Sequence, residues 1–424
     1  MPPTINAAGK INLRTPEVMS LVQAQVETHY RSPIVEYLRY TGLSLAAAGL
    51  TVKLAKAFGF CYGVERAIDL AYAATKVKDF NGRNIYLLGE IIHNPEVNDQ
   101  LRGMGIQQLQ EKDGHYDISN LTREDVVIVP AFGAEIETIK RIKELGCSIV
   151  DTTCGDVMSV WKRVRQYRKE SVTSIIHGKA WHEETKATAS HAVGEEGSGR
   201  YLVVYNLEET DYVCNYIRHG GDKKEFSEKF KGAHSPDFDP DIHLRAVGVA
   251  NQTTMMRGET EEVQRRFKQA IIDRYGEKAL DDHFRFFDTI CGATQERQDA
   301  LRVMLDGEKL DLLIVVGGYN SSNTSHLAEM GEAKLPTFFI KNAEMLISTK
   351  QIRHWNQHKH QEVLTEDWLP NGDVTVGITA GASCPNNLIE ETIHRLYEFR
   401  GIHVESLLPV NFQQVAATPV VLPN

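Results

Sequence analysis

The sequence predicts an α/β protein built from three similar units. Short apolar runs alternate with segments of helical period along most of its 424 residues, the pattern of parallel sheets with crossover helices. Three of these runs also end at a cysteine in a glycine-bearing turn before a helix. The first is Lys56-Ala57-Phe58-Gly59-Phe60-Cys61-Tyr62-Gly63-Val64-Glu65-Arg66-Ala67-Ile68. The others, Val150-Asp151-Thr152-Thr153-Cys154-Gly155 and Phe287-Asp288-Thr289-Ile290-Cys291-Gly292-Ala293-Thr294, share the pattern Asp-Thr-X-Cys-Gly. Glycine lets the backbone turn sharply and approach a bound group. Amides at a helix start favour the thiolate form of a nearby cysteine. Three strand-end cysteines in matching settings predict three units whose tips meet at one point.

Composition narrows the class. Apolar residues make up 42% and charged residues 25%, the balance of an ordinary globular protein. A net charge of −10 argues against a general nucleic-acid binder, which needs a basic excess against phosphate. No apolar run approaches the ~18–20 residues that span a bilayer; Leu310 to Gly318 is too short. The first residues have neither a basic-then-apolar signal pattern nor an Arg/Ser-rich transit composition, so no membrane association and a cytoplasmic location are expected. Six cysteines stand at 61, 147, 154, 214, 291 and 384, with no C-x-x-C pair. In a large chain of this kind they are expected to be free, catalytic or metal-bound. A lone cysteine is otherwise a small buried hydrophobe, and only the strand-end setting of Cys61, Cys154 and Cys291 separates these three.

Each element follows in order. Residues 1–50 read as an extension, with a helix start at Thr15-Pro16-Glu17 and valines 18, 22 and 26 at helical spacing. This helix is expected to cover the main body or to contact another subunit. Val52-Lys53-Leu54-Ala55 reads as a strand leading to Cys61, joined to the third unit. The helix after it buries Val64, Ala67, Ile68, Ala71 and Tyr72. Ile85 to Gly89 is a strand followed by His93-Asn94-Pro95-Glu96-Val97. His93 is therefore either a ligand group beyond a strand's carboxyl end or a capping or surface histidine. Val126 to Pro130 leads into Ala131-Phe132-Gly133-Ala134, and Cys147 to Val150 delivers Cys154. The next helix carries Lys162, Arg163, Arg165, Arg168 and Lys169, as a solvated face or a docking face for an acidic electron carrier.

Ser174 to Gly178 is a strand and turn that precede His182 and Glu184. A carboxylate two residues from a histidine over a site can relay a proton while the histidine binds an anion; a surface cluster has the same residues. Neither H-E-x-x-H nor the P-C-x-x-C of zinc deaminases accompanies them. Residues 212–241 are polar and read as an insertion or mobile excursion. Ala246 to Thr254 is a strand ending in Gln252-Thr253-Thr254, whose threonines are β-formers or hydroxyl donors. After the strand Leu312 to Val316 comes Gly317-Gly318-Tyr319-Asn320-Ser321-Ser322-Asn323-Thr324, an anion cradle of neutral donors and helix-start amides or a plain turn. It lacks the G-K-[ST] of a Walker loop. Val374 to Thr379 leads to Ala380-Gly381-Ala382-Ser383-Cys384-Pro385. The tail after His403, with Leu407-Leu408-Pro409-Val410, reads as a packed terminal arm.

Taken together, these motifs resemble the 4-hydroxy-3-methylbut-2-enyl diphosphate reductases, the LytB-type iron–sulfur enzymes of the non-mevalonate isoprenoid pathway, from about Lys53 to Gly401. The resemblance implies three similar α/β units with small, mostly parallel sheets, arranged as a trefoil around a central iron–sulfur site. Its expected divisions are 51–153, 154–290 and 291–402, between an extension (1–50) and a tail (403–424). It implies one 4Fe–4S cluster held by Cys61, Cys154 and Cys291, with the fourth iron open to substrate. Three cysteines hold a cluster and leave one iron able to act as a Lewis acid while the cluster supplies electrons. His93, His182, Ser321, Ser322, Asn323 and Ser383 would bind the diphosphate, and Glu184 with Thr253 beside the substrate hydroxyl would supply the proton. Water leaves, and reprotonation of the allyl intermediate at either end gives isopentenyl or dimethylallyl diphosphate. The implied partners are the small allylic diphosphate and a ferredoxin- or flavodoxin-type electron donor. Phe132 departs from many bacterial members, which carry histidine there; phenylalanine cannot donate a hydrogen bond to phosphate. Members with N-terminal extensions, plant and cyanobacterial, often share this change. Two other classes use part of the same residues. A non-catalytic iron–sulfur carrier or sensor would not need the histidines and the Ser-Ser-Asn loop, and a zinc-stabilised phosphosugar-type binding protein would lack a brown chromophore.

Overall fold

The computed structural model describes residues 13–112, 114–287 and 289–409. Asp288 of the third cysteine motif, residues 1–12 of the extension and Val410 onward in the tail lie outside them. The protein is α/β, with small and mostly parallel sheets. Two compact units divide it: one comprises the chain up to Ile85, Glu90–Gln107 and the chain from Glu296; the other is Tyr86–Gly89 with Gln108–Gln295.

The first unit is organised on a seven-stranded sheet in the order Ser44–Ala47, Leu50–Leu54, Val374–Ala380, Leu312–Val316, Thr337–Ile340, Gln351–Asn356 and Gln361–Glu366. The four strands from Leu50–Leu54 to Thr337–Ile340 run parallel, and antiparallel pairs flank them. Leu312–Val316 is buried at every position, as an apolar run in mid-sheet requires when helices cover both faces. Leu50–Leu54, the strand before Cys61, pairs along its whole length with Val374–Ala380. Chain segments more than 300 residues apart therefore release their turns at one edge.

The extension is helical, at Pro16–Tyr30 and Pro33–Thr41. Thr15 caps the first helix by accepting from the Val18 amide, with proline at its first turn. Val22 is fully buried, and Ile34, Val35 and Leu38 enter the sheet's apolar core. The helix Pro16–Tyr30 packs on Tyr62–Lys76 of the same unit, where Tyr72 Oη donates to Tyr30 Oη at 3.1 Å.

In the second unit, Tyr201–Val204, Thr173–His177, Val247–Asn251 and Phe284–Phe286 form a wholly parallel sheet in that order. In another sheet, Ile85–Leu87, Val126–Val129 and Ser148–Asp151 lie side by side. The stretch 212–241 corrects the expectation of a mobile excursion. It contains the end of the helix Leu207–His219 and the whole of Lys223–Lys229. Phe226 and Phe230 are buried with their rings 4.9 Å apart, and Phe238 stacks on Phe226. Asp222 accepts from the amides of Lys224 and Glu225, capping the short helix. The polar composition hid three phenylalanines, two of them spaced i,i+4.

Candidate active site

The six cysteines separate by environment. Cys147, Cys214 and Cys384 are buried and Cys61, Cys154 and Cys291 are half-buried. Cys214 and Cys384 lie inside apolar clusters, and burial pushes the Cys214 thiol up to about 12. Burial raises Cys384 as well. Such thiols stay protonated and serve packing. Cys61 and Cys154 instead occupy the N-cap positions of Tyr62–Lys76 and Gly155–Lys169, where their side chains cap nothing. Cys291 immediately precedes the helix Gly292–Gly307. Half-buried cysteines at helix starts are the residue type and setting that a soft metal or an iron–sulfur cluster takes.

In the first unit, one backbone segment gathers the expected residues. The Cys61 amide donates to Ala382 O at 3.2 Å, and the Ala382 amide donates to Asn323 Oδ1 at 2.9 Å. The next residue, Ser383, donates its hydroxyl to His93 O at 3.2 Å, and its carbonyl accepts from Asn94 Nδ2 at 2.9 Å. Cys61, His93, Asn323 and Ser383 are thus tied to the turn after Val374–Ala380. Glycine is required at two places. Gly59 has φ +80° before Cys61, and a Cβ on Gly318 would lie 2.2 Å from His93 O.

Asn94 caps Pro95–Gly103 and holds His93 just outside that helix; the His93 Nδ1 lies 3.1 Å from Glu90 Oε2. Ser321 caps Ser322–Glu332, its oxygen accepting from the Thr324 amide and hydroxyl. That leaves the Ser321 hydroxyl hydrogen for another acceptor. Asn323 is 2% exposed. Its oxygen is taken by Ala382, and its Nδ2 is a buried donor with no partner among the described residues. Ser322 Oγ lies 3.4 Å from His326 Nε2, whose other nitrogen meets Glu329 Oε2 at 2.8 Å. Arg297, also buried, donates to Gly59 O at 2.6 Å and Phe60 O at 3.2 Å, pinning the loop before Cys61. Burial lifts the Glu65 carboxyl, one turn into the Cys61 helix; Asp69 adds to this, and Arg39 and Arg297 oppose it.

The second unit brings together Glu184, His182, Thr253 and Cys291. His182 caps Glu183–Val193, its Nδ1 accepting from the Glu184 amide at 3.2 Å. A neutral His182 therefore carries its proton on Nε2 and donates from there. Glu184 is 3% exposed, and its Oε1 accepts from the Thr253 amide at 2.5 Å. The Thr253 carbonyl in turn accepts from the Cys291 amide at 3.2 Å. Cys154 is anchored separately, its amide donating to Ala131 O at 2.8 Å. Neighbouring Phe132 is buried and meets the His182 ring edge-on, with centroids 6.4 Å apart. It acts as an apolar wall beside the imidazole and offers no donor.

Several supporting residues were not assigned a role from the sequence. Gln252 is fully buried, its Oε1 accepting from the Lys179 amide and the Thr185 hydroxyl. It fastens the His182 loop to the Thr253 strand. Its position beside Thr253 was the available signal. Asn94 had one too, as a capping residue before proline. Ala382 had none, because it acts only through its backbone.

Comparison with known proteins identifies the family. The sequence model of the LytB protein family matches residues 52–397. The chain is 48% identical over 386 residues to the 4-hydroxy-3-methylbut-2-enyl diphosphate reductase of Gloeobacter violaceus, covering 90% of each chain. It is 46% identical to the reductase of the same name from Thermosynechococcus vestitus, covering 90% of this chain and 92% of that one. Among solved structures, an (E)-4-hydroxy-3-methylbut-2-enyl diphosphate reductase, described as the terminal enzyme of the non-mevalonate pathway, superposes with a TM-score of 0.50 and 25% identity, covering 82% of this chain and 99% of that one. The corresponding reductase of Plasmodium falciparum shares the fold, with a TM-score of 0.59 at 21% identity over 82% and 89% of the two chains. Among the described residues no helix is long and apolar enough to cross a membrane. With cysteines, histidines and the Ser-Ser-Asn cradle all inside the matched span, the chain belongs to the LytB protein family.

Proposed function

We propose that this chain reduces (E)-4-hydroxy-3-methylbut-2-enyl diphosphate to isopentenyl and dimethylallyl diphosphate, the last step of the non-mevalonate route, in the cytoplasm. The observation that carries the reading is the buried Glu184 carboxylate, held by the Thr253 amide one residue pair from Cys291. A carboxylate this buried, fixed beside a candidate metal ligand, suits proton delivery at a reacting centre. Cys61, Cys154 and Cys291 would hold one 4Fe–4S cluster. Bound, it supplies electrons and an iron without a cysteine ligand, which serves as Lewis acid toward the substrate hydroxyl.

The side chains do the rest. In the first unit, His93, Ser321, Ser322, Asn323 and Ser383 offer neutral or singly charged donors to the diphosphate. Most are immobilised by backbone contacts, so little ordering accompanies binding. In the second, His182 donates from Nε2 to the anionic substrate. Glu184, fixed by the Thr253 amide on Oε1, would deliver the proton to the departing hydroxyl. Thr253 orients that hydroxyl. Each turnover consumes two electrons and two protons and releases one water. The electrons would come from a ferredoxin- or flavodoxin-type carrier.

The test is anaerobic turnover of the diphosphate with reduced viologen, wild type against Glu184→Gln. Turnover in the wild type and its collapse in the variant support the reading. A reconstituted wild type that holds its cluster and never turns over would instead mark a carrier or sensor.

A further inference from the structure

The helix Gly155–Lys169 begins directly after Cys154 and carries the densest cationic run of the sequence. Lys162, Arg163, Arg165, Arg168 and Lys169 stand against the single carboxylate of Asp156, in a chain of net charge −10. None of the five makes an ion pair among the described residues. Its buried side is apolar: Val157, Val160, Trp161, Val164 and Tyr167. Its outer side presents Met158, Lys162, Arg165 and Lys169 at i, i+4, i+7 and i+11, all exposed, one continuous face. Met158 is 43% exposed, an apolar contact one turn from Cys154. Arg163 is held over the Phe287 ring, 3.6 Å from its centroid, so part of the charge is ordered in advance.

A surface with unneutralised cations around an exposed methionine is unlike the rest of the chain, where acidic and basic side chains pair repeatedly. Lys162 lies about 12 Å along the helix from Cys154. We infer that this face docks an acidic one-electron carrier protein, which passes its electron toward Cys154. The inference rests on the reductase reading. At each docking the carrier is oxidised by one electron and the enzyme reduced by one. Two dockings with two protons remove the substrate hydroxyl as water. Complementary charge is the argument for the occupant: an acidic carrier is repelled by a chain of net −10 except where cations cluster, and such steering accelerates encounter and fades with salt.

The test uses the cluster-loaded enzyme and a reduced, acidic [2Fe–2S] ferredoxin as probe. Lys162→Glu, Arg165→Glu and Lys169→Glu are combined, and Lys140→Glu, Arg141→Glu and Lys143→Glu on the exposed helix Ile136–Glu144 give a control of equal charge change. Calorimetric affinity for the ferredoxin should fall about tenfold or more in the first variant at low ionic strength, and its salt dependence should flatten. The control should bind like wild type. Ferredoxin-driven kcat/KM should fall in parallel, whereas turnover driven by reduced viologen should be unchanged. The corresponding triple glutamine variant, milder to the helix, should shift affinity in the same direction by less. Equal affinity in wild type and both triple variants overturns the inference, as does an equal loss in the control. So does a ferredoxin that fails to drive an enzyme viologen drives, or a duplex oligonucleotide that binds the face as tightly as the ferredoxin. Absence of viologen-driven turnover in the wild type would instead overturn the reductase reading.

Discussion

In the first unit, the side chains gathered at the turn after Val374–Ala380 are mostly neutral donors, two of them held through the backbone: Asn323 on the Ala382 amide, Ser383 on the His93 carbonyl. In the second unit, the corresponding cluster is ionisable, with Glu184 on the Thr253 amide and His182 on the Glu184 amide. Both clusters sit beyond the carboxyl ends of parallel strands, where open α/β sheets present ligand groups. The difference is chemical: on the proposed reading the first would hold an anion and the second would move a proton. Divided this way, substitutions in the two units should separate binding from turnover.

The largest effect is expected from Glu184→Gln. The amide oxygen still accepts from Thr253, so folding and substrate affinity persist, while kcat for viologen-driven reduction falls by about 10²–10⁴-fold. A large rise in KM with kcat preserved would break the proposed division. Asn323→Ala should act in the opposite sense. It removes the buried donor and leaves the Ala382 amide without its acceptor, so KM should rise by roughly tenfold, on the order of the 1–3 kcal/mol for a lost buried partner, with a smaller change in kcat. Steady-state kinetics on both variants read the contrast directly.

His191 sharpens the comparison through stability. It is buried against Trp161, ring centroids 4.0 Å apart, and burial, with Arg165 and Arg168 nearby, depresses its imidazole to about 3. The unfolded chain takes up this proton below its ordinary value of 6.5, while the folded protein does not. His191 therefore costs nothing at pH 8 and lowers stability as pH falls from 6.5 toward 3, by at most about 1.4 kcal/mol per unit. Denaturant unfolding between pH 7 and 5 should show a flatter pH dependence for His191→Gln than for wild type.

The smallest effect is expected from Cys384→Ala, next to Ser383 in sequence yet fully buried in the first unit's core. It should lower stability by about 1 kcal/mol through lost packing and leave the iron content of the purified protein unchanged. Loss of iron would make Cys384 a ligand and undo the separation of the cysteines by burial.

Much of this was legible in the sequence. The parallel strands were carried by apolar runs such as Leu312 to Val316, and the turn residues around Cys61, Cys154 and Cys291 marked where strands end, because glycine and helix-start patterns are local properties. The joining of Leu50–Leu54 to strands that follow Cys291 was also expected, and the register with Val374–Ala380 gives its detail. The stretch 212–241 misled because its average polarity outweighed Phe226, Phe230 and Phe238, whose burial depends on a helix meeting a sheet. Family resemblance extended the residue readings to roles for His182, Glu184 and Thr253.

What the sequence by itself determined was the set of donors and the elements bearing them, since residue chemistry and helical or strand period are written in adjacent positions. Only the tertiary structure decided which atoms of those donors the backbone takes. The Ala382 backbone takes Asn323 Oδ1, with Nδ2 unpartnered among the described residues; the Thr253 amide takes Glu184 Oε1; the Glu184 amide takes His182 Nδ1. In two of these three the partner is a backbone group distant in the chain. Backbone groups are the same at every residue, so no side-chain pattern can announce them; folding alone brings them within hydrogen-bond range.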